Sequence, residues 1–287
     1  YLEIAGMARA MRDKALQVSI PGVLVDTCGT GGDGSSTINV STISALVAVG
    51  AGLTVAKHGN RSITSSCGSA DVLEAAGVKI DLGSDGVKQC IEEVGIGFMF
   101  APVFHPAMRF AGPHRREIGI RTVFNILGPL TNPARANRQV LGVADGSLGK
   151  TMAQVLDRLG SKHALVVHGE DGLDEISICS ETDIWELKEG SINSYKISPE
   201  LFGLSRSSRE SIQANTLEEN LASMESVLSG NKGPSRDVVL INAAAALLVG
   251  NIVNDISSGL SVAAESIDKG LAMEKLDSLV DLSQKLS

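Results

Sequence analysis

Short apolar segments alternate with helix-length segments along most of the chain, and this alternation limits the fold more than any other feature. The apolar segments are short, rich in β-branched or aromatic residues, and lie at residues 23–25, 53–56, 97–102, 139–145 and 163–169. Helical patterns separate most of them. Strands of about five residues joined by helices of about ten are typical of βαβ crossovers. We therefore predict an α/β fold with a mainly parallel central sheet flanked by helices.

Two regions depart from this alternation. Residues 102–133 contain five prolines and many basic residues, which indicates an insertion of helices and loops over a cleft. Residues 176–197 alternate in polarity around Glu189 and Gly190, which predicts an antiparallel pair with a turn at that point. From Thr216 onward the pattern is helical.

Composition excludes several classes of function. A formal net charge of −8 argues against a nucleic-acid or anionic-membrane partner, since both require a basic surface. The longest apolar stretch, residues 238–250, is too short to span a membrane and contains Asn242. The chain shows no secretion signal, and its four cysteines form no CxxC pair. We therefore expect reduced thiols and a cytoplasmic location.

A glycine-rich loop follows the first predicted strand and precedes a helix. Its sequence, GTGGDG at residues 29–34, satisfies GxGxxG, the pattern of a dinucleotide site. Such a site needs an acidic residue about 20 positions later, where this chain has Lys57 and His58. A P-loop needs a lysine after Gly34, where this chain has Ser35. Neither motif fits.

A site for a different phosphate ligand remains consistent with the loop. Exposed loop amides and the N-terminus of the following helix attract anionic oxygens. Further donors are supplied by Ser35, Ser36, Thr37, Asn39, Ser41 and Thr42, and positive charge by Lys57 and Arg61. The carboxyl ends of parallel strands meet at one edge, so these groups are expected to face one crevice. The alternative is a tight turn with a cap of hydroxyl side chains.

Two adjacent carboxylates follow the strand at residues 163–169. Asp174 and Glu175 would face the same crevice, and carboxylates together with substrate phosphates are the ligands that Mg²⁺ prefers. Glu170 and Asp171, just upstream, add negative charge. The alternative is an acidic turn in solvent.

The insertion and the residues after it are unusually basic for an acidic chain. The arginines are Arg109, Arg115, Arg116, Arg121, Arg135 and Arg138. An arginine pairs bidentately with a carboxylate or phosphate, so a second anionic substrate is plausible, although any one of them can equally be a surface residue. His105 and His114 are candidate acid–base groups or structural histidines.

Together these motifs resemble the anthranilate phosphoribosyltransferase family. The resemblance covers most of the chain and rests on GTGGDG…NVST at 29–42, KHGNR…GSADVLEA at 57–75, HPAMR and GIRTVFNILGPLTNPAR at 105–135, and GLDE at 172–175. His114, before Arg115, replaces the small aliphatic residue that is usual in the family. The nucleoside phosphorylases share the fold and the glycine-rich loop, but KHGNR and NILGPLTNP are not expected in them.

The resemblance implies an activity and a set of site residues. The family transfers the phosphoribosyl group of 5-phosphoribosyl pyrophosphate (PRPP) to anthranilate and releases pyrophosphate, using Mg²⁺. The implied PRPP-binding residues are Gly29, Gly32, Asp33, Thr37, Asn39, Val40, Ser41, Thr42, Lys57 and Ser69. Gly29, Asn60 and Arg115 would bind anthranilate; Ser41, Asp174 and Glu175 would bind the metal; and Asp174, Glu175 and Lys57 would be catalytic.

The resemblance also implies an organisation and leaves two alternatives open. A small helical domain of residues 1–20 plus about 102–133 would form one side of the active-site cleft, and residues 21–101 plus 134–287 the large α/β domain. A homodimer is implied, whose interface in the family includes helices that precede the present sequence. The alternatives are a pyrimidine nucleoside phosphorylase and a catalytically silent homologue that binds nucleic acid.

Overall fold

The strands form one central sheet. The structure is a computed structural model that describes residues 1–62, 67–118, 120 and 122–286, apart from the side chains of residues 113–116 and 118. Within these ranges the sheet has seven strands in the order β3-β2-β1-β4-β5-β6-β7. They are β1 Val25–Gly29, β2 Val55–Gly59, β3 Ile96–Phe100, β4 Arg138–Gly142, β5 His163–Gly169, β6 Thr182–Lys188 and β7 Ser191–Ile197. The first five are parallel and the last two antiparallel, which confirms the predicted fold class.

Helices connect the parallel strands and make up most of the C-terminal part. They are α1 Leu2–Lys14, α2 Val40–Gly50, α3 Ser69–Ala75, α4 Ser84–Val94, α5 Ala101–Phe104, α6 Met108–Ile118, α7 Phe124–Leu127, α8 Gly149–Arg158, α9 Leu217–Leu228, α10 Pro234–Val249, α11 Ile256–Asp268 and α12 Leu271–Lys285. The antiparallel pair turns at Glu189 and Gly190, as predicted.

Strands β1 and β2 extend further toward their carboxyl ends than their apolar residues predict. In β1 the buried Asp26 accepts hydrogen bonds from the Asn132 amide at 2.8 Å and from the His58 backbone at 3.3 Å. Thr27 donates to the Ser41 carbonyl at 2.9 Å. Because partners distant in sequence satisfy these polar groups, the strand continues through residues that resemble a loop.

Helix α10 contributes a long run of buried residues to the core. Its residues 238–247 are buried, and it packs on α2 and α11. The one polar side chain among these ten residues, Asn242, bonds the backbone N–H of Ile176 at 3.0 Å and its carbonyl at 2.9 Å, just after the acidic pair. No helix in the described part of the chain is both long and apolar enough to cross a membrane.

The N-terminal helix and part of the insertion pack on the other face of the sheet. Ala5 and Ala8 of α1 share an apolar cluster with Leu127 and Leu130 and with residues of α8, including Leu156. These pieces of the predicted small domain are therefore neighbours in space. The division into two domains stays a prediction.

Candidate active site

The cavity of interest lies at the carboxyl edge of the parallel strands. Strands β1, β2, β4 and β5 end in Gly29, Gly59, Gly142 and Gly169. The cavity has a volume of about 1390 Å³. Its lining includes the predicted site residues Gly29, Gly32, Asp33, Thr37, Asn39, Val40, Ser41, Lys57, Asn60, Ser69, Asp174 and Glu175. The fold thus brings these groups from the connections after β1, β2 and β5 to one place.

The glycine loop and the acidic loop interlock at this edge. The Gly31 amide donates a hydrogen bond of 2.7 Å to Oδ2 of Asp174. A Cβ at Gly29 would approach Cγ of Asp174 to 2.8 Å, and one at Gly142 would overlap the Asp174 carbonyl. Glycine is required here because the acidic loop occupies the space that a side chain needs. A carboxylate oxygen on a loop amide is also the contact that a phosphate oxygen would make.

The second half of the glycine loop is supported by a distant segment. The Ile38 amide donates to the Ile212 carbonyl at 3.0 Å, and the Ala214 amide to the Ser36 carbonyl at 2.8 Å. Thr37 and Gln213 form an antiparallel bridge between these bonds. Sequence reasoning missed this support, since no local pattern links positions about 175 residues apart.

Lys57 lies beneath the N-terminus of α2. Its ammonium donates to the Thr27 carbonyl at 2.6 Å and to Oγ of Ser41 at 3.3 Å, and the side chain is 1% exposed. Burial lowers the pKa of Lys57, and the nearby Asp26 carboxylate acts in the opposite direction. Lys57 therefore fixes the Ser41 hydroxyl and adds positive charge below the cavity floor.

Three carboxylates, those of Asp33, Asp174 and Glu175, lie close enough to influence one another. Burial, followed by the charge of Asp33, raises the pKa of Asp174 to about 7. Burial and the charge of Asp174 raise the pKa of Glu175. A bound cation would relieve this repulsion, since an opposite charge favours the ionised form.

The protein groups at this edge of the cavity could supply only some of the ligands of a Mg²⁺ ion. Asp174, Glu175 and the hydroxyl of Ser41 offer oxygen atoms, the ligands that this ion prefers. Among the described residues, no group of three or more His, Cys, Asp or Glu side chains has the arrangement of a complete metal site. An ion here would take its other ligands from substrate phosphates and water, which is usual for Mg²⁺.

The opposite side of the cavity is formed by β2 and the insertion. Asn60 and Met108 line it beside the buried His58 and His105, whose rings meet edge to face at 5.0 Å. Burial lowers the pKa of His58 to about 3 and also lowers that of His105, so both are neutral near pH 7 and are weaker bases than a histidine in solvent. Among arginines, Arg109 lines this side with its guanidinium over Phe110.

Some of the residues predicted for the site do not present a free polar group to the cavity or are not described. Thr42 is not among the residues that line the cavity, and its hydroxyl is buried without a partner among the described residues. Its contact with PRPP stays a prediction. Arg61 reaches the cavity rim, but its guanidinium bonds Asp71 and Glu74 at 2.9 and 2.7 Å, so its charge is balanced locally. The predictions for His114, Arg115, Arg116 and Arg121 concern side chains outside the described part of the structure.

The fold and the cavity define a glycosyltransferase of the α/β type. Residues 21–273 match the sequence model of the glycosyl transferase family, a/b domain. Anthranilate phosphoribosyltransferase of Dehalococcoides mccartyi strain 195 is 55% identical over 287 residues, covering 99% of this chain and 84% of the relative.

Solved structures give the same result. The crystal structure of anthranilate phosphoribosyltransferase from Thermus thermophilus has a TM-score of 0.93 and 44% identity, covering 98% of this chain and 84% of that one. The Saccharomyces cerevisiae enzyme in complex with PRPP and Mg has a TM-score of 0.92 and 32% identity, covering 99% and 80%. The chain belongs to the anthranilate phosphoribosyltransferase family.

Proposed function

We propose that the protein transfers the 5-phosphoribosyl group of PRPP to the amine of anthranilate and releases pyrophosphate, the second step of tryptophan biosynthesis from chorismate. The observation that carries this proposal is the contact between Asp174 and the Gly31 amide. It sets an acidic loop against a glycine-rich anion cradle within one cavity. A phosphorylated sugar whose leaving group is held by a cation needs both elements.

The proposed PRPP site uses the loop side of the cavity. The loop backbone, with positive φ at Gly31, Gly32 and Gly34, borders this side, and a pyrophosphoryl oxygen would replace Asp174 as the acceptor of the Gly31 amide. Ser41, whose hydroxyl Lys57 fixes, lies in the first turn of α2, where the helix dipole favours negative charge. Preformed donors stabilise the pyrophosphate as negative charge develops on it, without reorganising solvent.

Mg²⁺ is proposed as the cofactor, held by Asp174, Glu175 and the Ser41 hydroxyl. When bound, the ion would neutralise charge on the departing pyrophosphate. The two carboxylates would themselves be kept ionised by that binding, since their raised pKa values reflect burial and mutual repulsion.

Anthranilate is proposed to bind on the β2 and insertion side, near Gly29, Asn60 and Arg115. Its amine is already a nucleophile, so the residues have to orient it and no covalent enzyme intermediate is required. Asn60 is held in place there: its side-chain oxygen accepts from the Arg61 amide at 2.8 Å and its carbonyl from the Ala70 amide at 3.2 Å. A homodimer and a cytoplasmic location, which four free thiols would suit, complete the proposal.

A substrate comparison tests the reaction class. The purified protein is supplied either with PRPP, anthranilate and Mg²⁺ or with uridine or thymidine and inorganic phosphate. We expect consumption of anthranilate, followed by its fluorescence, with one pyrophosphate released per molecule consumed. Phosphorolysis of the nucleosides without any transfer to anthranilate would instead identify a nucleoside phosphorylase.

A further inference from the structure

A pair of asparagines behind the glycine loop determines which atom one of them presents to the cavity. Asn220 of α9 is 1% exposed. Its Nδ2 donates to the carbonyls of Ala214 at 3.2 Å and Thr216 at 3.0 Å. Carbonyl oxygens can only accept, so these contacts fix the orientation of the amide and direct Oδ1 elsewhere. That oxygen accepts from Nδ2 of Asn39 at 3.0 Å.

The surroundings of Asn39 fix its own amide in turn. Its Nδ2 also lies 3.3 Å from Sγ of Cys67, whose thiol donates to the Gly68 carbonyl. Burial raises the pKa of Cys67 to about 11, so the sulfur remains a thiol with a free lone pair. With Nδ2 surrounded by acceptors, Oδ1 lies on the other side of the amide. Asn39 lines the cavity, and its Nδ2 lies 3.5 Å from the Cys67 carbonyl as a further acceptor. Among the described residues, none donates a hydrogen bond to its Oδ1.

An acceptor that faces the cavity selects its ligand chemistry. An amide oxygen attracts a hydroxyl or amine donor and repels the oxygens of an ionised phosphate, which only accept. In PRPP the donors are the ribose hydroxyls. We infer that Asn39 binds a ribose hydroxyl of PRPP, not its phosphates, and that Asn220 is the positioning residue that holds the Asn39 amide in this orientation. This inference rests on the proposed function.

Asn220 also has a structural connection to the loop, which the test must separate from positioning. Ala214, whose carbonyl accepts from Asn220, donates its own amide to Ser36 in the glycine loop. Loss of the Asn220 amide donors therefore loosens the loop support. Loss of the Asn220 acceptor releases the Asn39 amide.

Two substitutions of Asn220 distinguish its support of the glycine loop from its positioning of the Asn39 amide. Asn220→Leu and Asn220→Asp both remove the amide donors, but only the aspartate keeps an oxygen opposite Nδ2 of Asn39. Both variants should raise the KM for PRPP through the loosened loop. We expect the KM in Asn220→Leu to exceed that in Asn220→Asp by about three- to tenfold, the effect of one neutral hydrogen bond, because only the aspartate keeps an acceptor for Asn39. The KM for anthranilate should not change in either variant, and any rise in the inhibition constant of pyrophosphate, caused by the loosened loop, should be equal in the two.

A double-mutant cycle tests whether Asn220 acts through Asn39. Asn39→Ala should raise the KM for PRPP as Asn220→Leu does, and combining the two should add little, because both remove one interaction. Equal increases in Asn220→Leu and Asn220→Asp would overturn the positioning role. An increase in the pyrophosphate inhibition constant in Asn39→Ala would assign Asn39 to phosphate, and an increase in its KM for anthranilate would assign Asn39 to the amine.

The wild-type reaction separates this inference from the proposed function. If the wild type has no turnover with PRPP and anthranilate, the proposed function fails. The same variants are then titrated calorimetrically with ribose 5-phosphate and with pyrophosphate. Weaker binding of ribose 5-phosphate alone in Asn39→Ala and Asn220→Leu supports the hydroxyl contact, and unchanged binding of ribose 5-phosphate overturns it.

Discussion

The carboxylate of Asp174 accepts a 2.7 Å hydrogen bond from the backbone amide of Gly31, although 143 residues separate the two positions. The contact joins the connection after β1 to the connection after β5. It sets the acidic pair beside the glycine loop, and Gly29 and Gly142 leave the space for it. The proposed chemistry depends on this juxtaposition, and the following predictions test its parts.

Removing both acidic charges should abolish most turnover without unfolding the protein. We expect Asp174→Asn with Glu175→Gln to lower kcat/KM by about a hundredfold or more, because ligands for the cation are lost. The melting temperature should stay the same or rise, since mutually repelling buried carboxylates are neutralised. Rates measured across a Mg²⁺ titration check this. The exposed adjacent pair on α4, changed by Glu92→Gln with Glu93→Gln, is the control, and an unchanged Mg²⁺ response in the first variant would contradict the metal assignment.

A methyl group at Gly29 should displace the carboxylate of Asp174. In Gly29→Ala the new Cβ would lie 2.8 Å from Cγ of Asp174, so the carboxylate must leave the Gly31 amide. We expect turnover to fall about tenfold or more, with a higher Mg²⁺ requirement. Gly6→Ala is the control, because nothing lies within 4 Å of that Cβ and alanine favours a helix by about 1 kcal/mol. Normal turnover in Gly29→Ala would show that the position of Asp174 does not matter.

Arg115→Ala should affect one substrate more than the other. The family resemblance assigns this arginine to the anthranilate carboxylate, and a lost charge-assisted bond costs about 1.5–3 kcal/mol, or about ten- to a hundredfold in affinity. The KM for anthranilate should therefore rise by that factor and the KM for PRPP much less. Arg135→Ala removes a surface pair with Asp13 and serves as the control. Equal increases for both substrates would move Arg115 to the phosphate side or to a structural role.

Acid should destabilise the protein partly through His58. Burial lowers its pKa to about 3 in the folded state, while the unfolded chain takes up a proton near pH 6.5. The unfolded state thus binds more protons between these values, so the free energy of unfolding falls as pH falls below about 6.5, by up to about 1.4 kcal/mol per unit. Denaturant unfolding from pH 7 to pH 4 measures the slope. His58→Gln, which keeps a donor for the Gly128 carbonyl, should lose that part of it, and parallel slopes for the two proteins would refute the assignment.

The meeting of the glycine loop and the acidic pair at one edge of the sheet could be predicted from the sequence, because parallel strands end side by side. The loop after residue 29 and the acids at 174 and 175 each follow an apolar segment, so both were expected at one crevice. The residues at which β1 and β2 end could not be predicted from the sequence. Asp26 and Lys57 resemble loop residues, and only partners such as Asn132, 106 positions from Asp26, explain their burial.

The segment that supports the glycine loop could not be predicted from the sequence either. Residues 212–214 and Asn220 act through bonds to positions about 175–180 residues earlier, and no periodicity or spacing records such pairs. The sequence does carry one signal of the contact between the glycine loop and the acidic loop. Four parallel strands end in glycine, and glycines at Gly29 and Gly142, which pair across neighbouring strands, indicate close approach of another segment.

The most direct test of the central claim is the release of pyrophosphate from PRPP, measured in the presence of Mg²⁺ with and without anthranilate. We predict that release requires anthranilate, that one phosphoribosylanthranilate is formed per pyrophosphate, and that release is largely lost in Asp174→Asn with Glu175→Gln. Pyrophosphate release that is the same without anthranilate, or no release from the folded wild-type protein, would contradict it.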